Sequence, residues 1–335
     1  MSTWFTLIWI AIIGVGIFLY VVLDGFDLGV GILSRFAPSK ADRELMIASV
    51  SPFWDGNETW LILGAVGLMA AFPMAFAIIV PALYFPILAM LVGLMFRGVA
   101  FEYRSVPGAH VDLWDIAFCG GSVLAAFSQG VMLGMFVTGF TVTGREFTGT
   151  SFDWVAPFPL LSGAALIFGY ALLGAGWLVM KTEGKLQTWA RRMGRLALAV
   201  VLVFIAVVTL VMLVHQPQVF GRWLRFPNVL FLWPVPLGTA LAAFWAWRSL
   251  GGSGDAQPFL ATVALFGTAF LGLAISLWPM IVPTSVDLWT AAASPSSQAF
   301  LLVGTVILLP VILAYSAWSY WVFRGKVRAD SGYGH

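Results

Sequence analysis

Long apolar stretches, separated by short polar segments, follow one another along almost the whole chain. Each holds about 20 residues or more, which at about 1.5 Å per helical residue crosses the roughly 30 Å hydrocarbon core of a bilayer. This pattern predicts an all-α polytopic membrane protein with about nine transmembrane helices. We expect them near residues 5–33, 47–72, 74–97, 113–140, 155–180, 194–215, 226–248, 259–282 and 298–323.

The composition agrees with a chain that is embedded in a membrane. Hydrophobic residues make up 61% of the 335 positions and charged residues only 10%. Soluble globular proteins carry about 25% charged residues, so that class is excluded. A net charge of +2 gives no signature of nucleic-acid binding, and we expect no nucleic-acid partner.

The basic residues are distributed unevenly between the two sides of the predicted helices. Most of the 17 Lys and Arg residues lie in alternate connections, starting with the first, and they include the run at 181–195. Because cytoplasmic loops carry an excess of Lys and Arg, the N-terminus is predicted outside and the C-terminus in the cytoplasm. The acidic residues near positions 55 and 115 then lie towards the cytoplasmic side.

A few ionisable residues fall inside or beside the predicted spans, mainly in the first half of the chain. Each costs at least about 2.5 kcal/mol to insert, so such residues mark pathways or partners. Asp24 and Asp27 lie three apart and share one face of the first helix. Gly25 and Gly29 form a small-xxx-small pair on that helix, which allows another helix to approach closely.

Two more acids open the second span. Ser51 is a candidate N-cap and Pro52 a candidate first helical residue, which puts Asp55 and Glu58 in the first two turns. Asp55 is also explained, equally well, as a carboxylate favoured by the helix dipole. Asp24, Asp55 and Glu58 have no obvious cation partner in the sequence, and such carboxylates suit a proton relay.

Arg97 is the one strong cation near the segments that hold Asp27 and Asp115. An Asp–Arg–Asp arrangement would neutralise part of the buried charge. A structural clamp between helices is the favoured interpretation of this set, ahead of direct chemistry.

The histidines do not suit haem ligation by this chain. Haem proteins in membranes usually use His ligands that face the bilayer core. Here His110 lies in a predicted loop, His215 at the end of a span and His335 at the C-terminus. The chain alone is therefore a poor candidate for redox chemistry.

Six segments in the same order resemble subunit II of the cytochrome bd-type quinol oxidases, over nearly the whole chain. The GNETW element and the compact length are most similar to the cyanide-insensitive branch of that family. The segments are DGFDLGVG (24–31), WDGNETWLI (54–62), FRGVAFEYR (96–104), WPMIVPTS (278–285), AAASPSSQAFLLVG (291–304) and YWVFRGKV (320–327).

The resemblance implies a terminal oxidase of the bacterial inner membrane that oxidises quinol and reduces dioxygen to water. Haem b and haem d would be bound by a partner, subunit I. Some relatives hold a structural quinone in subunit II, and some complexes include a very small accessory subunit. The implied fold is a single transmembrane domain, 1–335, of two four-helix bundles plus a peripheral helix, with the first bundle at about 5–140 and the second half at about 155–323.

The resemblance also implies roles for individual residues. Asp55 matches a proton-path carboxylate, and Glu58 and Asp24 join it in the expected path. Trp60 matches the residue at the opening of an oxygen route. Asp27, Arg97 and Asp115 match a charged set needed for complex stability and for the haem environment.

Two other functions stay open at this point. A proton-coupled secondary transporter would also use acidic residues in spans, although such proteins favour binding groups near the midplane in both halves. A purely structural assembly subunit would use every carboxylate only as a clamp between helices.

Overall fold

The computed structural model describes residues 2–104, 106, 110–215 and 217–327. These residues are almost entirely helical, which confirms the all-α prediction. The helices are α1 (Ser2–Ser34), α2 (Lys40–Val50), α3 (Trp54–Ala71), α4 (Pro73–Ala82), α5 (Tyr84–Arg104), α6 (Val111–Thr138), α7 (Pro157–Lys181), α8 (Gly184–His215), α9 (Pro217–Leu224), α10 (Asn228–Leu232), α11 (Pro234–Gly251), α12 (Gln257–Leu277), α13 (Leu288–Ala291) and α14 (Pro295–Val322). Two small antiparallel hairpins pair β1 (Val142–Thr143) with β2 (Glu146–Phe147) and β3 (Met280–Val282) with β4 (Val286–Asp287).

Among the described residues, eight helices are long and apolar enough to cross a membrane. Seven of them are α1, α5, α6, α7, α8, α12 and α14, and the eighth joins α10 and α11 across residues 228–251. The predicted span at 47–72 is instead divided into α2 and α3, and α3 begins beyond Pro52. Asp55, Asn57 and Glu58 lie in the first two turns of the 18-residue α3, which is not among these eight helices.

The predicted span at 74–97 is also interrupted. The chain forms α4, breaks at Leu83 and continues as α5 to Arg104. Pro81 and Pro86 flank the break, and proline removes a backbone donor and clashes with the preceding turn. Helix α5 therefore extends one to two turns beyond the predicted end, which brings Arg104 into the helical part of the molecule.

The long helices pack as two groups of four. The first group holds α1, α3, α5 and α6, and the second holds α7, α8, α11 and α12, with α7 packed against both α1 and α6. Helix α14 lies at the periphery and has few neighbours, mainly α1 and α3. The end of the molecule that contains α2 is called the α2 end below, and the C-termini of α1, α5, α7 and α11 all lie there.

The larger apolar core spans both groups at the α2 end. Phe26 on α1 stacks on Trp177 of α7 with ring centroids 4.0 Å apart, and Trp177 donates to the carbonyl of Ser49 on α2 at 3.2 Å. Tyr320 of α14 packs edge-on against Phe26. These aromatic contacts fix α1, α2, α7 and α14 around the charged residues.

Candidate functional site

Arg97 lies at the centre of a charged cluster inside the first helix group. The side chains of Arg97 and Asp24 are both fully buried. One guanidinium nitrogen donates to Oδ1 of Asp24 on α1, and another donates to the carboxylate of Glu58 on α3. One cation thus joins α1, α3 and α5.

Asp27 belongs to the same region but is held by an amide. Nδ2 of Asn57 on α3 donates to Oδ2 of Asp27 at 2.7 Å, and the hydroxyl of Tyr320 on α14 donates to Oδ1 of Asn57 at 2.8 Å. Asp27 is fully buried, and its Oδ1 has no hydrogen-bond partner among the described residues. Three carboxylates, those of Asp24, Asp27 and Glu58, therefore surround a single guanidinium.

Unsatisfied polar atoms collect around this guanidinium. Within the described part of the chain, Nε of Arg97 also lacks a hydrogen-bond partner. Buried polar groups in proteins are nearly always paired with protein or water, so these atoms are exceptions among the described residues. The cluster is charged and incompletely satisfied.

The cluster reaches the protein surface at Glu58. Its side chain is 28% exposed, and Asp55 lies exposed one turn closer to the N-terminus of α3. The ring of Trp54 lies beside Arg97, with the guanidinium carbon 6.0 Å from the ring centroid. Asp55 is thus exposed, Glu58 is partly exposed and Asp24 is buried, and both Glu58 and Asp24 contact the guanidinium.

Asp115 lies in a second, separate cluster at the α2 end. Arg43 of α2 donates to its Oδ2 at 2.7 Å, and Nε of Arg104 donates to its Oδ1 at 2.7 Å. Arg104 also pairs with Glu44 of α2. This cluster clamps α2 against α5 and α6.

The expected Asp27–Arg97–Asp115 arrangement is therefore not the geometry of the protein. Arg97 pairs with Asp24 and Glu58, and Asp115 takes its cations from Arg43 and Arg104. The sequence hypothesis treated 40–43 as a basic loop, whereas the chain folds there as α2 and carries Arg43 to Asp115. Asp24 and Glu58, expected to lack a cation, both have one.

Trp60 lies inside the first helix group, two turns into α3. Its side chain is 2% exposed, and its indole nitrogen has no hydrogen-bond partner within the described residues. No hydrogen bond from a described residue therefore fixes this ring.

A cluster of metal-ligating side chains is absent from the described residues. They contain no group of three or more His, Cys, Asp or Glu side chains able to hold a metal ion. His110 is exposed before α6, and His335 lies outside the described residues.

The model of the family cytochrome bd terminal oxidase subunit II matches residues 5–323. The chain belongs to this family. It is 30% identical over 361 residues to the cytochrome bd-I ubiquinol oxidase subunit 2 of Escherichia coli (strain K12), covering 96% of this chain and 95% of that protein. It is 30% identical over 335 residues to the cytochrome bd ubiquinol oxidase subunit 2 of Bacillus subtilis (strain 168), covering 97% and 96%.

A solved structure shares the fold. The structure of bd oxidase from Geobacillus thermodenitrificans matches with a TM-score of 0.77 at 16% identity, covering 95% of this chain and 98% of the matched chain. Members of the family are thus polytopic subunits of an oxidoreductase complex, and this chain is a multi-pass membrane protein of that kind.

Sequence reasoning missed several polar residues that make buried hydrogen bonds in this chain. Asn57 lies in the quoted GNETW element and Tyr320 in YWVFRGKV, yet neither was given a role. Gln129 of α6 was missed too: its Nε2 donates to the hydroxyl of Tyr20 at 2.8 Å, and its Oε1 accepts from Tyr170 at 2.5 Å. Uncharged polar residues inside apolar spans were the available signal, since they also need partners in lipid.

Proposed function

We propose that this chain is the haem-free subunit II of a bd-type oxidase complex of the bacterial inner membrane, which oxidises quinol and reduces dioxygen to water. In that complex, haem b and haem d are bound by the partner subunit I. His110, before α6, is exposed, which fits that division. The membership of the cyanide-insensitive branch rests on the GNETW element and the compact length.

The chain contributes a proton path from the cytoplasm. The observation that carries this proposal is the set of carboxylates formed by exposed Asp55, partly exposed Glu58 and buried Asp24. Reduction of dioxygen at the haems consumes protons, and these carboxylates supply them. Each carboxylate exchanges a proton with the next group or with water between them.

The orientation follows from the basic residues. Arg43, Arg104 and the run at 181–195 all lie at the α2 end, and positive residues are retained in the cytoplasm. We infer from this distribution that the mouth at Asp55 faces the cytoplasm, with the N-terminus outside and the C-terminus inside. The whole chain forms one transmembrane domain of two helix groups.

Asp27, Arg97 and Asp115 act mainly in holding the helices. Arg97 and Asp115 each join three helices, and Asp27 ties α1 through Asn57 to Tyr320 of the peripheral α14. Breaking a buried ion pair leaves an uncompensated charge, so these residues also control whether the haem-bearing partner can assemble. The quinone and the very small accessory subunit of some relatives stay without an assigned site here.

The experiment that tests the proton path replaces Asp55 with Asn in the assembled complex. We expect oxygen consumption to fall several-fold with haem content unchanged, because Asp55 pairs with no cation among the described residues and its loss removes only a proton carrier. Asp112→Asn is the matched control, since Asp112 is 80% exposed and only 3.6 Å from Lys40 in a surface pair. Equal activity of Asp55→Asn and the wild type in complexes with full haem content would refute the path.

A purely structural subunit is the second candidate, and the direct pairing of Arg97 with two carboxylates favours it. That function predicts that Asp55→Asn is silent while Asp24→Asn loses assembly and haem together. A secondary transporter would need transport by the chain alone in liposomes, and the polar cluster lies in one helix group instead of at the midplane between two halves.

A further inference from the structure

A basic groove lies between α8 and α11 at the α2 end, far along the chain from the charged cluster. Its volume is about 420 Å³, and it is lined by Thr188, Arg191, Arg192, Arg195, Trp247 and Gly251 at its polar end. Leu196, Ala199 and Leu250 complete its apolar wall. Within the described part of the chain no acidic residue lines it.

The acidic side chains near this groove pair with basic residues other than Arg192 and Arg195. Asp255 accepts from Lys326 at 2.7 Å and lies 3.6 Å from Arg191, and Glu183 lies 3.8 Å from Lys326. Arg191 is further held by the carbonyls of Ser249 and Gly254 at 3.0 and 2.9 Å. Arg192 and Arg195 form no ion pair with any described residue, so two exposed guanidinium groups face the groove without an anion.

The position of Arg195 is shaped by its neighbours. Its guanidinium carbon lies 5.9 Å from the centroid of the Trp247 ring. A Cβ at Gly251 would lie 2.0 Å from its terminal nitrogen, so the glycine leaves the space that this side chain crosses. The indole and the glycine together hold the guanidinium over the mouth of the groove.

The outer face of α8 continues from the guanidinium groups into the apolar part of the molecule. Arg192, Leu196, Ala199 and Val203 are spaced four, three and four apart, which puts them in one line on the helix, and all four are exposed. The stripe therefore changes from cationic to apolar along the direction of the membrane normal. That order matches a phospholipid, whose anionic headgroup lies at the interface and whose acyl chain runs inward.

We propose that the groove between α8 and α11 binds an anionic phospholipid from the cytoplasmic leaflet. The phosphate lies between Arg192 and Arg195, and one acyl chain packs along Leu196, Ala199 and Val203. Charge complementarity selects the occupant, because guanidinium groups bind phosphate in a bidentate manner and basic pockets between transmembrane helices bind acidic headgroups. This proposal is independent of the proton path.

The test uses the purified complex that contains this chain, with retained lipid counted by native mass spectrometry. Phosphatidylglycerol is titrated into delipidated wild-type complex and into the double variant Arg192→Gln, Arg195→Gln. We expect the apparent Kd of the variant for phosphatidylglycerol to rise roughly tenfold or more, because each basic residue near an acidic lipid contributes to the binding free energy. The matched control is Lys185→Gln, Arg324→Gln, which removes two exposed charges at the same end outside the groove and is expected to bind as the wild type does.

Three outcomes would overturn the proposal. The first is equal phosphatidylglycerol binding by the groove variant and the wild type. The second is equal weakening in the control variant, which would indicate general surface charge. The third is the exclusion of the acidic phospholipid as the occupant. It would be shown by binding of phosphatidylcholine as tight as that of phosphatidylglycerol, or by displacement of the lipid by millimolar inorganic phosphate.

Discussion

At the residue scale, the guanidinium of Arg97 decides how the charges of this subunit are arranged. It is fully buried, it lies between Asp24 and Glu58, and Asp27 is close by on the same face of α1 as Asp24. Ion pairs that are exposed to water contribute little to stability. In the protein interior, loss of one partner leaves the other charge buried without compensation. The cluster is therefore sensitive to the loss of any one member.

Replacing Asp24 with Asn should destabilise the subunit. The change removes one of the two carboxylates that pair with Arg97, but Glu58 still pairs with the guanidinium, so we expect a loss smaller than the about 3–5 kcal/mol of a fully broken buried pair. We expect a lower thermal midpoint and a lower haem content of the purified complex. The double variant Asp24→Asn, Arg97→Gln should recover part of the loss, and additive losses in this cycle would contradict a direct pair.

Trp60 allows a test of the expected oxygen route. Its indole is buried, and its nitrogen has no hydrogen-bond partner among the described residues, so Trp60→Phe removes bulk without breaking a polar contact. We expect the KM for dioxygen to change while the KM for quinol stays the same. A parallel change in both constants, or in neither, would argue against an oxygen path at this residue.

At the element scale, the approach of α1 to α7 depends on glycine. A Cβ at Gly29 would lie 1.8 Å from the carbonyl oxygen of Tyr170, and one at Gly174 would lie 2.4 Å from the backbone of Gly29. The two backbones are in contact there, and they join the two helix groups. Gly29 was expected to allow such an approach, and the structure supplies its partner on α7.

Gly29→Ala should therefore separate the two helix groups. The backbone of α7 cannot move without disturbing the packing of Phe26 on Trp177, so we expect a large loss of thermal stability and of assembled complex. Gly14→Ala on the same helix is the control, because no atom lies within 4 Å of its added Cβ. There alanine should be neutral or slightly stabilising, since it is the better helix former. Similar effects of the two substitutions would contradict the close contact.

At the scale of the whole molecule, the segment after α14 fastens the peripheral helix to the second helix group. Lys181 donates to the carbonyl oxygen of Phe323, the amide of Val327 donates to the carbonyl of Lys181 at 2.9 Å, and Lys326 bonds Asp255 at 2.7 Å. This clasp, residues 323–327, contacts the C-terminal end of α7 and the connection between α11 and α12. It holds α14 in place although most of that helix is uncovered in the single chain.

The clasp should weaken in acid. The hydrogen bond from Lys326 holds the pKa of Asp255 below its usual value, so the carboxylate form contributes stability above the unfolded pKa. That contribution is lost as the pH falls through the lowered pKa of the folded state. Because Asp255 is largely solvated, we expect an effect of at most about 1 kcal/mol.

Asp255→Asn should remove this part of the acid dependence of the thermal midpoint and should raise proteolysis after residue 322 at neutral pH. Asp112→Asn, at an exposed pair with a distance of 3.6 Å, should leave both unchanged. An acid dependence of the thermal midpoint that is the same in Asp255→Asn as in the wild type would show that the clasp is not held by this pair.

The order and class of the elements follow from the sequence alone, because the length of each apolar stretch must match the thickness of the bilayer whatever its neighbours are. Asp24, Glu58 and Arg97 are also identified as important from the sequence alone. An ionisable residue within a membrane span costs free energy and therefore marks a structural or functional site. Family membership was also readable from six short segments.

The partners of those charges were decided only by the tertiary structure. Arg43 reaches Asp115 because residues 40–50 fold as a helix, and Tyr320 reaches Asn57 across more than 260 positions of chain. Spacing along a helix fixes which residues share a face, but it does not fix which helix lies opposite. Helix packing sets that choice through contacts such as that of Gly29 on α1 with Tyr170 on α7. Those contacts join residues that lie far apart in the sequence.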